Sequence, residues 1–98
     1  MTDIKQIADD FNILCTVTLF NKLIEKSILS KDPNRPSNII VYMRETDDHP
    51  EGWYSQNMFS AAEDLLADRS SLEYVLKEAD KNGIDLDKIL EYSKEMLD

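Results

Sequence analysis

The chain is poor in the residue types that most often mark a reactive site. It holds one cysteine, one histidine, two glycines and three prolines among 98 residues. A lone thiol, Cys15, makes no internal disulfide and no zinc knuckle, which points to a reducing compartment. There is no glycine-rich phosphate loop, no serine elbow and no dinucleotide fingerprint. A long apolar run is also missing. The richest stretch, 13–20, falls far short of a bilayer span and contains two threonines. Met1-Thr2-Asp3-Ile4-Lys5 is charged within three residues, so no secretory leader is expected. These absences lead to the expectation of a soluble, cytoplasmic protein with no cofactor, no metal and no membrane partner, and not an enzyme.

What is present is ample for folding. The hydrophobic share is 42%, and with so few glycines and prolines that excludes a disordered or low-complexity chain. Residues 1–98 have the size of a single globular domain, which hides about two-thirds of its unfolded surface without needing a metal or disulfide.

Charge is distributed unevenly. Residues 1–44 carry five acids and six bases, net +1; residues 45–98 carry fifteen acids and five bases, net −10. A half so acidic repels nucleic acid and anionic lipid and attracts basic surfaces. Direct nucleic-acid binding needs a basic footprint and is not expected.

The hydrophobic pattern predicts a mainly α fold, a small bundle of four to five helices. Thr2 or Asp3 caps a first helix through Ile4, Ile7, Ala8 and Phe11. Residues 13–20 alternate like a strand, yet Ile13, Val17, Phe20, Ile24 and Ile28 also fall at helical spacing, and the helix is preferred because no turn residue separates them from their flanks. Residues 30–38 read as a loop. Residues 39–43 (IIVYM) are the best strand candidate, although Ser37 could equally cap a short helix there, and as a strand they would need 13–20 as partner. An α+β alternative therefore has one hairpin, residues 13–20 with 39–43. Residues 46–55 (TDDHPEGWYS) read as a second loop. Three helices follow. The first, over 57–68, buries Met58, Ala62 and Leu65. The second opens on a Ser70/Glu73 capping box with Leu72, Val75, Leu76 and Ala79 inside, and ends at Asn82-Gly83. The third is capped by Asp85 and carries Leu86, Ile89, Leu90, Met96 and Leu97.

Few constellations suggest chemistry. Asp80-Lys81-Asn82-Gly83 with Glu91 matches three positions of a calcium loop, but Ile84 and Asp85 stand where an oxygen ligand and a glycine belong. A Gly C-cap followed by an Asp N-cap accounts for the same residues. Asp47, Asp48 and His49 lack further ligands to complete a metal site, and His49 reads as an exposed loop residue. Cys15, with apolar neighbours and no nearby base, reads as a buried structural thiol.

Two features suggest recognition instead. Asp87, Glu91 and Glu95 stand at i, i+4 and i+8 on the last helix, with Asp98 close by. Asp64 and Asp68 repeat that spacing earlier. Like charges so placed cost about 0.2–0.5 kcal/mol per pair. The ordinary reading is a solvated face; the functional one is a surface matched to a basic groove. The other feature is Trp53-Tyr54 following Glu45, Asp47, Asp48 and Glu51, aromatics beside acids, which is a recipe for an interface anchor with a charged rim. The competing reading makes Trp53 a plug folded back onto the core. Tyr74 falls opposite the apolar stripe of its helix and is expected to be exposed.

The leading expectation is an acidic, non-enzymatic interaction protein that inhibits or modulates a basic protein, of the kind that processes nucleic acid. A nucleic-acid mimic acting as a phage-type or mobile-element inhibitor of host defence fits those properties. Its expected contacts are Glu45, Asp47, Asp48, Glu51, Trp53, Tyr74, Asp87, Glu91 and Glu95. The alternative is a structural or regulatory subunit that forms a homo-oligomer or joins a complex through apolar surface, suggested by the apolar density of 13–28.

Overall fold

The computed structural model describes residues 3–43 and 45–97. Among the described residues, five helices and a three-stranded antiparallel sheet make a mixed α+β domain. The elements run α1 (Ile4–Asp10), α2 (Ile13–Glu25), β1 (Ser30–Asp32), β2 (Arg35–Met43), β3 (Gly52–Asn57), α3 (Met58–Ala67), α4 (Arg69–Lys81) and α5 (Leu86–Leu97). The mainly α bundle is thus corrected to α+β, although not through the expected hairpin.

Residues 13–20 are helical. Asn12 caps α2, its side-chain oxygen accepting from the Cys15 amide at 2.9 Å. The hydroxyls of Thr16 and Thr18 donate to the carbonyls of Asn12 and Leu14, so the polar atoms that break the apolar run are satisfied within the helix. The buried face is Cys15, Thr16, Leu19, Phe20 and Leu23, rotated from the expected stripe; Ile13, Val17 and Ile24 lie at its margins and Ile28 is exposed. Asn12 also explains why α1 and α2 are separate helices, although no glycine or proline lies between them.

The 39–43 strand does form, but its partner is not 13–20. It extends back to Arg35 and lies between β1 and β3, segments whose turn-forming residues read as loops. In β2–β3 the register is regular, Ile40 facing Ser55 and Tyr42 facing Trp53. Alternation sends Ile39, Val41 and Met43 to one face and Asn38, Ile40 and Tyr42 to the other. Ile39 is fully buried and joins the core under the sheet.

The helical layer supplies the rest of the core. α2 packs against α3 and α5, and α1 against α4 and α5. Leu72, Leu76 and Ala79 form the expected buried stripe of α4. Its cap, however, is Asp68: that carboxylate accepts from the Ser71 amide and hydroxyl, and Glu73 pairs with Arg69 instead of closing a box with Ser70. Asp68 is therefore a capping residue, not part of an acidic ladder with Asp64. The end of α4 is a Schellman turn. Ile84 N–H donates to the Ala79 carbonyl and Gly83 N–H to that of Asp80, with Gly83 at φ 81°. Asp85 then caps α5 through the Lys88 amide. Asp3 caps α1; Thr2, Asp98 and the side chain of Leu97 lie outside the described residues.

Within the last helix Leu86 and Ile89 are buried as expected, and Met96 is exposed. The buried hydroxyl of Ser93 is satisfied by Asn12, whose Nδ2 donates to it at 3.2 Å. That bond ties the start of α2 to the last helix. A guanidinium ties two more helices: Arg69 donates to the Lys5 carbonyl at 2.8 Å and meets Asp9 at 2.7 Å and Glu73 at 3.2 Å. The Asp9 hydrogen bond is the chief reason the Arg69 pKa lies above its usual value.

Candidate interaction site

The sheet packs one face on the core and leaves the other open. On the open face Tyr42 and Trp53 stand opposite each other across β2 and β3, ring centroids 5.4 Å apart and edge to face at 70°. Trp53 is 68% exposed and Tyr42 52%, so Trp53 is no core plug. The strand pleat accounts for this. Tyr54 and Gln56 point inward on alternate positions, Gln56 reaching Asp64 on α3 at 2.6 Å, and Trp53 and Ser55 are turned to solvent.

Residues 45–51, between β2 and β3 in the chain, carry four acids. Glu45, Asp47, Asp48 and Glu51 are all exposed. Among its described residues the connection is internally bonded. Thr46 N–H donates to the His49 carbonyl at 2.9 Å, and Asp48 N–H to the Thr46 hydroxyl at 3.2 Å. The Tyr54 hydroxyl donates to the Pro50 carbonyl at 2.6 Å, and its ring lies 5.0 Å from the half-buried His49 imidazole. Hydrogen bonding to Glu51, then burial, then the charge of the Glu51 carboxylate raise the Tyr42 phenol above its ordinary value.

The far end of the same face is polar. Asn38 Nδ2 donates to Ser55 Oγ at 3.0 Å, and Ser55 Oγ donates to Asp32 Oδ2 at 2.5 Å, a chain of bonds across all three strands. The Ser55 bond, with the Asn34 amide, holds the Asp32 carboxyl below the usual carboxylate range.

The remaining expected contacts lie on other elements. Tyr74 on α4 is 66% exposed, as its position opposite the buried stripe requires. Asp87, Glu91 and Glu95 are exposed on α5, which packs mainly on α2, α1 and α4, whereas the hairpin packs on α3. The hairpin therefore gathers Glu45, Asp47, Asp48, Glu51 and Trp53, and the acidic ladder belongs to another part of the surface. Tyr42 was missed in the sequence because its significance depends on facing Trp53, and β3 read as loop. The signal was the pair Trp53-Tyr54, two strand-favouring aromatics at a fixed distance from IIVYM.

An open groove of about 650 Å³ lies between α2 and the start of α5. Lys22, Lys26 and Lys88 share its walls with Glu25 and Asp85, so it selects no strong charge. Cys15 is a buried free thiol. Among the described residues no three His, Cys, Asp or Glu side chains are placed to hold a metal ion, and no helix is long and apolar enough to cross a membrane.

What the fold and the site define is a small α+β domain with an aromatic, acid-rimmed sheet face. Compared with protein-family models, curated proteins and solved structures, the chain matches none.

Proposed function

We propose that this is a non-enzymatic, cytoplasmic interaction protein that docks a basic protein surface on the open face of its sheet and thereby inhibits or modulates that protein. The observation that carries this reading is the exposed Tyr42–Trp53 pair beside Glu45, Asp47, Asp48 and Glu51. Aromatic anchors with a charged rim are where interface energy concentrates. A surplus of nine negative charges favours encounter with positive surfaces. Proteins that process nucleic acid present such surfaces, and an anti-defence inhibitor of phage or mobile-element type is the biological setting that suits a small acidic protein.

The alternative, a subunit joined through apolar surface, rests on the apolar density of 13–28. Much of that density faces α3 and α5, which leaves this reading less surface to use. The two differ in their response to salt. Affinity capture from nuclease-treated lysate, read by mass spectrometry, is expected to retain a basic protein at low salt and release it at high salt. Partners retained equally at both would favour the subunit.

A further inference from the structure

The two edges of the sheet are not equivalent. β1 has three residues, its register with β2 slips between Lys31 and Asp32, and Lys31 lies on it. Short length, a bulge and lysine are devices by which natural sheets keep other strands from pairing. β3 has none of them. It is six residues long, keeps an unbroken register, and reads Gly-Trp-Tyr-Ser-Gln-Asn, with no charge and no proline. Yet it is the other edge of the sheet. Every second residue of such a strand turns its N–H and C=O away from the neighbour it already has.

We propose that an extended, basic segment of the partner protein adds to the sheet as a fourth strand alongside β3. This rests on the docking reading above and specifies its mode. Main-chain hydrogen bonds to β3 supply the register, and alternate side chains of the added strand lie on the open face beside Trp53 and Ser55. A neighbouring strand lies about 4.8 Å away, so a lysine or arginine placed opposite Trp53 reaches its ring face. The sign of the segment follows from the surroundings. Glu45, Asp47, Asp48 and Glu51 precede β3, and Glu63 and Asp64 lie on the helix that follows it. A second copy of this chain is the wrong occupant: antiparallel pairing of two β3 strands brings the acidic connection of each toward the α3 of the other, which carries Glu63 and Asp64 in its middle, between molecules of net charge −9.

The test uses the full chain, isotopically labelled, titrated with an eight-residue peptide of alternating lysine and threonine. Alternate amides of 52–57 are expected to shift and to gain protection from exchange. A matched peptide N-methylated at every second residue is expected to bind at least about tenfold more weakly, since the loss of even one to two main-chain hydrogen bonds has that effect. Equal binding by the methylated peptide, with shifts confined to 45–51, overturns strand addition and leaves charge-led docking intact. Failure of every basic peptide to bind overturns both. Shifts in β3 that grow with protein concentration alone assign the edge to a second copy and overturn the proposal as well.

Discussion

Ser27 and Gly83 occupy the same place in two similar turns. Both follow a helix C-cap with positive φ, 61° and 81°, and in both the next residue donates back to the third-last residue of its helix. Only Gly83 has the residue type that this conformation favours. Ser27→Gly is expected to stabilise the fold by about 1 kcal/mol and Gly83→Ala to destabilise it by a similar amount, measured by urea unfolding. The second cost is of backbone origin, since a Cβ on Gly83 meets nothing within 4 Å. Tyr42 offers a spectroscopic test. Its folded pKa is raised, so its contribution to stability is present below the ordinary tyrosine value of 10.0 and is lost as pH rises through the folded value. In an absorbance titration Glu51→Gln should move one phenol back toward that value; an unchanged curve would place Glu51 elsewhere.

At the scale of elements, capping decides what periodicity leaves open. The α2 segment satisfied both a strand and a helix template. Asn12, which commits it to the helix, looked like one polar residue among others, because its role needs the buried Ser93 81 positions away. Asn12→Ala is expected to cost about 1–2 kcal/mol, the cap together with the partner of a buried hydroxyl. A cost indistinguishable from zero would mean that α2 needs neither. The three C-terminal helices were legible, since a Gly C-cap, an Asp N-cap and an apolar stripe coincide there. The sheet was half legible. β2 announces itself by β-branched residues, but β1 is written in Ser, Lys and Asp, and β3 sets Trp53-Tyr54 among Gly, Ser, Gln and Asn, so pairing to β2 is what makes them strands. Two carboxylates fix such junctions. Asp32 is held low chiefly by Ser55, and Asp68 chiefly by Ser71. For both, the stabilising contribution is present above the unfolded carboxylate value and lost as pH falls through the lowered one. The fold should therefore weaken in acid below the ordinary value of 3.8, and Ser55→Ala should reduce that sensitivity.

Over the whole molecule, charge and shape have separate roles in the proposed docking. The α5 ladder is remote from the hairpin in the packing scheme, so its effect on docking is long-range. Replacing Asp87, Glu91 and Glu95 by their amides is expected to slow association and flatten its salt dependence, with little change in dissociation. Trp53 is exposed and, among the described residues, pairs its ring with Tyr42, so its removal should leave stability within about 0.5 kcal/mol while removing an anchor. The proposed docking rests on the aromatic face and not on the summed charge. Its most direct test compares low-salt capture of a basic protein by the wild-type chain and by a folded Tyr42→Ala/Trp53→Ala variant of unchanged net charge. The variant, despite its intact acids, is expected no longer to retain the partner. Retention equal to wild type would show that charge alone, or another face, makes the contact.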